Sequence, residues 1–366
     1  MKRLYLTLTI ISILFWLAFA LTPKGVFSEN ENRYLASFPK LTQKTITDGS
    51  FTEGLTDFIT DGFPFRDFFM GLNTGYNKYV LKKTEINGIY FAADDYYIEK
   101  YSDPDNTEEI TERLNAFFEK ISNTQSFLAL APTAVTIYAD KLPLYAEEAS
   151  QTDEISKYYS EKSAKTVDLY TPLSQNTGEK LFYRLDHHWT TTGAYYAYAA
   201  IAEKMGLTPL EKSQCELTTV TEDFRGTIFS KLNMNNLKGE SIEILKTDEP
   251  LTVYYNDTDT TADTLYNLDY TAQKDKYSLF LDNIHPLIEI TCPEAETDRT
   301  LAVVKDSYAN CLIPFLTKHF QKIYVFDPRY YKGSISDFIN ENQVSDVLVL
   351  YNMNTIDNDL GIRAIY

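Results

Sequence analysis

The first apolar run of the chain differs in kind from every later one. Eighteen residues from Leu4 to Leu21, LYLTLTIISILFWLAFAL, carry no charge and follow the basic pair Lys2-Arg3. A helix of that length spans roughly 27 Å, close to the thickness of the hydrocarbon core of a membrane. The pattern therefore predicts a membrane helix whose basic end stays in the cytoplasm while the rest of the chain lies outside.

The same run is compatible with retention or with removal. Cleavage by a signal peptidase would use the small-x-small sequence Ala18-Phe19-Ala20. The length of the run and its bulky Phe, Trp and Leu residues favour a retained anchor, and a buried core helix is a third interpretation. We expect residues 1–22 to be a transmembrane signal anchor, with a secreted, cleaved form as the alternative. No later run is long enough to span a membrane.

After the anchor the pattern changes twice. Residues 23–85 predict a polar stalk that begins at Pro23, followed by a helical segment around FPFRDFF at 63–69. From residue 86 to residue 366, short apolar runs alternate with helical patterns, which predicts one α/β domain with a doubly wound parallel sheet covered on both faces. The runs that predict strands include 126–130, 166–169, 300–304, 323–326 and 347–351.

Two stretches of this domain carry more specific expectations. Residues from about 209 to 275 are rich in Thr, Asp and Tyr and lack helical periodicity, which predicts an inserted segment of β-hairpins. Residues 308–320 show an apolar pattern at helical spacing and predict one helix.

Composition and charge narrow the range of partners. The chain has 34 basic and 52 acidic residues, a net charge of −18, so phosphate backbones repel it and nucleic acid is excluded as a partner. Its three cysteines, at 215, 292 and 311, form neither a disulfide framework nor a CxxC metal site. A hydrophobic content of 44% excludes collagen-like and broadly disordered classes.

Half of the four histidines lie in one pentapeptide, Asp186-His187-His188-Trp189-Thr190. The extended character of the residues before it predicts that Asp186 and His188 share one face while His187 points away. A carboxylate beside an imidazole orients the ring and stabilises its protonated form, as a general base requires. Two alternatives stay open. A histidine could cap the helix that begins near Thr190, or Asp186 and both histidines could bind Mn or Zn, although no other cluster completes such a site.

A serine stands where the apolar run TLAVV turns towards a helix. Ser307 is predicted to project at the carboxyl edge of the sheet, with the N–H groups of the helix start near a developing oxyanion. An ordinary helix cap formed by Ser307 or Asp306 is the alternative. Combined with an Asp–His pair elsewhere, an exposed serine is the minimal apparatus for nucleophilic acyl transfer.

A third candidate follows the apolar run YSLFL. Asn283, in LDNIHP, could offer its side-chain amide as a second oxyanion donor, and a turn before Pro286 explains it equally well. The remaining histidines, His285 and His319, are interpreted as structural rather than as metal ligands.

These motifs together resemble the DHHW protein family of bacterial, mainly Gram-positive, envelopes. The DHHWT block, the helix with Gly193 after it and the KDSYAN block about 120 residues later carry the resemblance. FPFRDFF, FLDNIHP and the tail LVLYNMNT extend it over most of the chain. The family is similar to alginate O-acetyltransferases and to SGNH-type hydrolases, with the catalytic blocks in permuted order.

The resemblance implies an SGNH-hydrolase-like fold and assigns roles to single residues. Ser307 matches the acyl-accepting nucleophile, His188 the base and Asp186 the residue that orients the base. Asn283 matches the region of an oxyanion donor pair, with Ser307 as a further donor. Asp282 stands where the family has glycine. The serine block likewise reads Lys-Asp-Ser instead of Gly-Asp-Ser.

The function that the resemblance implies is an extracytoplasmic O-acyltransferase or esterase that acts on an envelope polysaccharide through an acyl-serine. It would need no cofactor and no metal, and a membrane-bound acyltransferase would supply the acyl group. A catalytically inactive glycan-binding or envelope-assembly protein of the same shape is the alternative. A metal-dependent phosphoesterase of the Asp-His-His kind is a third possibility, but its other aspartate motifs are missing.

Overall fold

The computed structural model describes residues 2–22, 25–28, 31, 33–147, 150–160, 163–234, 236–247 and 249–365. Pro23, the start of the predicted stalk, lies outside these residues. The chain divides into two compact units. Unit 1 comprises residues 1–87 and 229–237, and unit 2 comprises residues 88–228 and 238–366.

Unit 1 is built mainly from helices. Its elements are helices α1 (Lys2–Leu21), α2 (Gln43–Thr47), α3 (Ser50–Asp61) and α4 (Arg66–Gly75), and strands β1 (Phe27–Ser28), β2 (Arg33–Tyr34) and β3 (Glu85–Ile86). α1 has 20 residues, a mean hydropathy of 2.3 and no buried residue. Its length and composition therefore suit a membrane span, and a signal sequence would have the same properties.

Unit 2 alternates strands and helices. Its strands are β4 (Ile89–Phe91), β5 (Tyr97–Glu99), β6 (Gln125–Ala131), β7 (Lys165–Val167), β8 (Leu217–Phe224), β9 (Glu240–Leu245), β10 (Thr252–Tyr255), β11 (Thr260–Ala262), β12 (Leu287–Thr291), β13 (Thr300–Lys305), β14 (Lys322–Phe326) and β15 (Asp346–Asn352). Its helices are α5 (Thr107–Lys120), α6 (Ala134–Ile137), α7 (Gln151–Tyr158), α8 (Tyr170–Ser174), α9 (Thr191–Lys204), α10 (Thr227–Leu232, which ends in unit 1), α11 (Ile313–Leu316), α12 (Ile335–Glu341) and α13 (Leu360–Arg363).

Eight strands of unit 2 form one sheet in the order β11-β10-β12-β14-β13-β15-β6-β7. The five strands from β14 to β7 are parallel, whereas β12, β10 and β11 pair antiparallel. The predicted α/β sheet is confirmed, and it is mixed rather than wholly parallel. The physical reason is the short connection between β10 and β11, because a hairpin turn can join only antiparallel neighbours.

The core of unit 2 lies along the parallel strands. Leu301, Ala302, Val303 and Val304 of β13 are fully buried, as a strand covered on both faces requires. In register, Leu301 pairs with Ile323 of β14 on one side and with Asp346 of β15 on the other. β13 therefore lies inside the sheet, and the residue that follows it emerges between the ends of two neighbouring strands.

Two stretches differ from the sequence-based expectation. The β-rich segment at 209–275 does contain hairpin strands, but β10 and β11 extend the main sheet instead of standing apart from it. Residues 308–320 do not form one helix. A 3₁₀ turn ends at Cys311, and α11 covers only Ile313–Leu316. Pro314 explains the break, because proline lacks an N–H and is tolerated only in the first turn of a helix.

Candidate functional site

The serine that was predicted to be a nucleophile stands at the carboxyl edge of the central sheet. β13 ends at Lys305, and Ser307 opens a 3₁₀ turn that runs to Cys311. The Asp306 carboxylate accepts a hydrogen bond from the Tyr308 N–H at 2.9 Å and so caps this turn. Since Asp306 does the capping, the hydroxyl of Ser307, which is partly exposed between buried neighbours, is left available for other contacts.

Ser307, His188 and Asp186 form a connected row. His188 Nε2 lies 2.7 Å from Ser307 Oγ, and His188 Nδ1 lies 2.5 Å from Asp186 Oδ1. The other oxygen of Asp186, Oδ2, accepts hydrogen bonds from the N–H of Thr227 at 2.9 Å and from its hydroxyl at 3.2 Å. A carboxylate fixed in this way holds the tautomer in which Nε2 faces the serine and can take its proton.

Burial and neighbouring charges set the protonation of this row. Burial alone would raise the pKa of the Asp186 carboxyl, but the adjacent His188 and His187 outweigh it and hold that pKa well below its ordinary value. Burial lowers the pKa of His188 to about 4; His187 adds to the lowering, and Asp186 opposes it. At neutral pH the pair is therefore a carboxylate beside a neutral imidazole, the form that accepts a proton.

Tyr277 completes the surroundings of the imidazole. Its ring stacks on His188 with the ring centroids 3.7 Å apart and the planes 9° apart. Its hydroxyl donates a hydrogen bond to the carbonyl oxygen of Ser307 at 3.3 Å. The sequence does not point to this residue, because the apolar run YSLFL predicts a strand, whereas residues Lys276–Leu279 form a 3₁₀ turn.

Trp189 and Tyr308 tie the histidine loop to the serine turn. Trp189 is fully buried, and its Nε1 donates to the carbonyl oxygen of Tyr308 at 2.9 Å. In return, the Tyr308 hydroxyl donates to the carbonyl oxygen of His187 at 2.6 Å. Gly193 allows α9 to pack closely below, because a Cβ there would collide with the carbonyl oxygen of Leu181. The loop is thus held from several sides.

The expectation that His187 points away from the pair is wrong. Phe182 bridges back to Trp189, so the residues between them form a tight loop with bends instead of a strand, and alternation of faces does not apply. The rings of His187 and His188 have centroids only 3.9 Å apart. His187 Nδ1 lies 2.7 Å from Thr227 Oγ1, so this side chain supports the group that holds Asp186.

Asp186, His187 and His188 are close enough to raise the question of a metal. One ligating atom from each lies within 4.8 Å of the others. Both oxygens of Asp186, however, already accept hydrogen bonds from N–H groups, of His188 and Thr227 respectively. This bonding is typical of a carboxylate that orients an imidazole, and a metal at the site would have to replace it.

The structure connects Asn283 to the turn that carries Tyr277 by one hydrogen bond. Ser278, which follows Tyr277, donates a hydrogen bond from its hydroxyl to Asn283 Oδ1 at 3.1 Å. Leu281, Asp282 and Asn283 all have positive φ angles, of 60°, 55° and 77°. Asp282 therefore adopts a conformation that glycine reaches without strain, at the position where the resembling family has glycine. The candidate site thus joins three of the four predicted residues directly, and Asn283 stays a predicted donor.

Gly226 and Thr227 are two further residues that sequence analysis missed. A Cβ at Gly226 would stand only 2.5 Å from Cβ and Cγ of Asp186, so any side chain there would displace the carboxylate. The signal that could have found them is the Gly-Thr pair at the start of α10, a pattern typical of a helix N-terminus.

We expect Gly226→Ala to lower the kcat/KM for an acetyl ester by about 100-fold, because a displacement of about 1 Å in a catalytic group has that scale of effect. Steady-state kinetics on the folded variant measures it. Gly178→Ala, where nothing lies within 4 Å of the added Cβ, is the matched control. Equal activity of both variants would contradict the role given to the Asp186 position.

Asp306 links the serine turn to β15. Its Oδ2 accepts hydrogen bonds from the N–H and from Nδ2 of Asn352, at 2.7 and 2.6 Å. Burial raises the pKa of this carboxyl from 3.8 to about 6, against the lowering effect of the N–H groups of Asn352 and Tyr308. The pKa of this carboxyl is higher in the folded protein than in the unfolded chain. Its contribution to the free energy of unfolding is therefore complete below the unfolded pKa, and it is lost as the pH rises through the folded pKa.

We therefore expect the stability of Asp306→Asn relative to the native chain to rise by about 2 kcal/mol between about pH 4 and about pH 8, since each pKa unit corresponds to about 1.4 kcal/mol and the unfolded carboxyl is already largely ionised at the lower pH. Urea unfolding of both proteins at the two pH values measures the difference. A difference that stays constant with pH would show that Asp306 does not titrate in this range.

Comparisons with known proteins identify a matching family and similar structures. A family model for the SGNH hydrolase-like domain of the acetyltransferase AlgX matches residues 90–286, more than half of the chain. A DHHW family protein from Eubacterium siraeum has a similar structure, with a TM-score of 0.68 and 28% identity, covering 77% of this chain and 96% of that one.

Bacillus cereus PatB1 has the same fold at greater distance. Its structure with a sulfonyl adduct has a TM-score of 0.62 and 20% identity, covering 76% of this chain and 98% of PatB1. PatB1 without the adduct gives the same TM-score over 75% of this chain. No curated protein matches the sequence significantly.

Proposed function

Because the chain belongs to the family of the SGNH hydrolase-like domain of the acetyltransferase AlgX, we propose that it is an extracytoplasmic O-acyltransferase or esterase that acts on an envelope polysaccharide. The observation that carries the proposal is the contact of 2.7 Å between His188 Nε2 and Ser307 Oγ. A hydroxyl that donates to a buried, neutral imidazole is an activated nucleophile, and a structural serine needs no such partner.

The first half of the proposed reaction loads Ser307. Its Oγ attacks the carbonyl carbon of an acetyl donor while its proton moves to His188 Nε2. The tetrahedral oxyanion is stabilised by the Ser307 N–H at the start of the 3₁₀ turn and by the Asn283 amide. The intermediate then collapses to acetyl-Ser307, and the leaving group takes the proton from His188. Asp186 stabilises the imidazolium that exists between these steps.

The second half transfers the acetyl group. A sugar hydroxyl, or water in an esterase, attacks the acetyl-serine carbonyl and passes its proton to His188. Collapse releases the O-acetylated sugar, and the proton returns to Ser307 Oγ, so the enzyme ends as it began. The donor class is an acetyl ester or thioester, which we propose a membrane-bound acyltransferase presents on the outer face of the membrane.

A cavity lies at the same edge of the sheet as Ser307, although Ser307, His188 and Asp186 are not among the residues that line it. It measures about 860 Å³ and is lined by residues that follow β14, among them Arg329 and Tyr330, and by residues that follow β15, among them Asn354 and Asn358. Ser307 follows β13, which lies between those two strands. A volume of this size suits a ligand of several rings, and tyrosine faces with amides suit sugars.

The proposed location is the outer face of a membrane, with α1 as a single span. Full-length protein is expected to stay with membranes through a carbonate wash, with an intact mass that includes residues 1–22. Release into the medium with a new N-terminus at Leu21 would instead establish cleavage after Ala20.

The function is tested with full-length protein in detergent, a chromogenic acetyl ester and soluble polysaccharide acceptors. The expected result is ester turnover, a mass gain of one acetyl group on the peptide with Ser307, and labelling of the same serine by a sulfonyl fluoride. Transfer predicts acetylated acceptor, and hydrolysis predicts acetate alone. Glycan binding with neither turnover nor labelling would establish the non-enzymatic alternative.

A further inference from the structure

Helix α4 exposes apolar side chains and buries a polar one, the opposite of a helix in a water-soluble domain. Its apolar residues face outwards and continue through the π-helical turn at Tyr76–Val80 that follows it. This outward stripe, between 48 and 79% exposed, comprises Phe65, Phe68, Phe69, Leu72, Tyr76, Tyr79 and Val80. The spacing is helical, and Thr74, on the opposite side, is buried at 4% exposure. A polar side chain faces inwards while seven large apolar ones face outwards, which in water is unfavourable.

Direct contacts join this segment to the apolar helix α1. The Phe63 ring, two residues before the stripe, lies 5.1 Å from the Phe15 ring of α1, measured between centroids. Phe58 of α3 approaches Phe19 of α1 at 6.2 Å. Phe15 lies six residues before the end of α1 at Leu21, or about 9 Å along the helix axis. With α1 across a membrane, Phe63 therefore lies at the depth of the outer leaflet.

Ion pairs fix the start of α4 in this position. The guanidinium group of Arg66 pairs with the Glu31 carboxylate, and Arg33 donates to both oxygens of Asp61, at 2.6 and 3.0 Å. Asp61 also accepts a hydrogen bond from the N–H of Ala36 at 2.7 Å. The stripe is therefore carried by a braced element and not by a free tail.

The charge of the segment is opposite to that of the protein. Residues 63–83 contain four basic residues, Arg66, Lys78, Lys82 and Lys83, and one acidic residue, Asp67, a net charge of +3 within a chain of net charge −18. A basic helix with aromatic and aliphatic residues on its other face is typical of elements that lie in the interface of an anionic membrane.

We propose that residues 63–83 lie flat on the outer surface of the membrane, with the outward stripe inserted among the lipid headgroups and upper acyl chains. The depth given by the Phe15–Phe63 contact, about 9 Å, agrees with the 5–10 Å to which such helices are buried. The protein then has two membrane attachments, α1 and this segment. The inference rests on α1 lying in the membrane, as part of the proposed location, and is independent of the chemistry at Ser307.

The test uses full-length protein in vesicles of phosphatidylglycerol. The chain has two tryptophans, Trp16 and Trp189. In the variant Trp16→Phe only Trp189 remains, and since it is fully buried in unit 2 it supplies the control signal. Adding Phe68→Trp places one indole on the stripe. Lipids brominated near the headgroup are expected to quench this added fluorescence at least about twofold, and iodide in the water to quench it weakly.

The outcomes separate the possible occupants of the stripe. Strong quenching by iodide without quenching by brominated lipid would show a free surface and overturn the proposal. Shielding from both quenchers would show that protein covers the stripe, and would overturn it equally. The difference between the native chain and Trp16→Phe reports Trp16 in α1. If bromolipids do not quench Trp16, the proposed anchor fails first, and the proposal for residues 63–83 falls with it.

Discussion

Replacing Ser307 by alanine is expected to lower the turnover of a chromogenic acetyl ester by about 10⁶-fold, the scale typical of losing the nucleophile of a Ser-His-Asp triad. The variant removes the atom that lies 2.7 Å from His188 Nε2 and leaves the burial of its neighbours unchanged. Steady-state kinetics with full-length protein in detergent measures the loss, and the same variant should no longer gain an acetyl group or react with a sulfonyl fluoride.

Ser126→Ala is the matched control for this loss. Ser126 is a buried serine of β6, and within the described part of the chain its hydroxyl makes one long contact, of 3.4 Å, with the carbonyl oxygen of Thr124. Its replacement is expected to leave turnover within about twofold of the native value. Full activity of Ser307→Ala, with unchanged folding, would remove Ser307 from the reaction and overturn the proposed acyl-serine mechanism.

The two adjacent histidines are expected to respond very differently to alanine. His188→Ala removes the only ring that touches both Ser307 and Asp186 among the described contacts, and should lower kcat/KM by about 10³-fold or more. His187→Ala removes a hydrogen bond to Thr227 and a ring beside His188, and should retain activity within about tenfold. Equal losses would show that His187 takes part in proton transfer.

The pH dependence distinguishes these two roles further. Since burial lowers the pKa of His188 to about 4, the neutral base is fully present at neutral pH and is lost only as the pH falls towards that value. We expect the kcat/KM of the native enzyme to be flat from about pH 6 to about pH 8 and to fall on the acid side. The profile of His187→Ala should keep a flat region with a lower plateau, and its acid limb should move to higher pH because His187 contributes to the lowered pKa of His188.

The strands of the central sheet were the most predictable part of the fold. The apolar runs at 300–304, 323–326 and 347–351 became β13, β14 and β15 with ends shifted by one residue or less. A short run that is apolar throughout is typical of a strand with both faces buried, so these three strands could be predicted from sequence. β10 was not recognised as a sheet strand, because its buried and exposed residues alternate and its partner β12 is set by tertiary pairing.

Some residues of the candidate site could be predicted from sequence, and others depend on tertiary contacts. The candidate nucleophile, base and orienting carboxylate were named from sequence, since their residue types carry the chemistry themselves. The roles of Thr227 and Tyr277 depend on tertiary contacts. The sequence does not predict that the Thr227 N–H donates to Asp186 or that the Tyr277 ring stacks on His188. The position of His187 was misjudged because face alternation holds for strands and not for a tight loop.

The order of strands in the sheet has a consequence for how the protein matures. β6 pairs with β15, so Gln125 meets Asp346, a partner 221 residues later in the chain. Closing so long a loop is slow, and β6 and β7 stay unpaired with the rest of the sheet until nearly all of the chain has been synthesised. If α1 enters the membrane first, the sheet assembles only after export. The strand edges then remain unpaired outside the cytoplasm until the last strands arrive. Chaperones of that compartment therefore contribute to the yield of active protein.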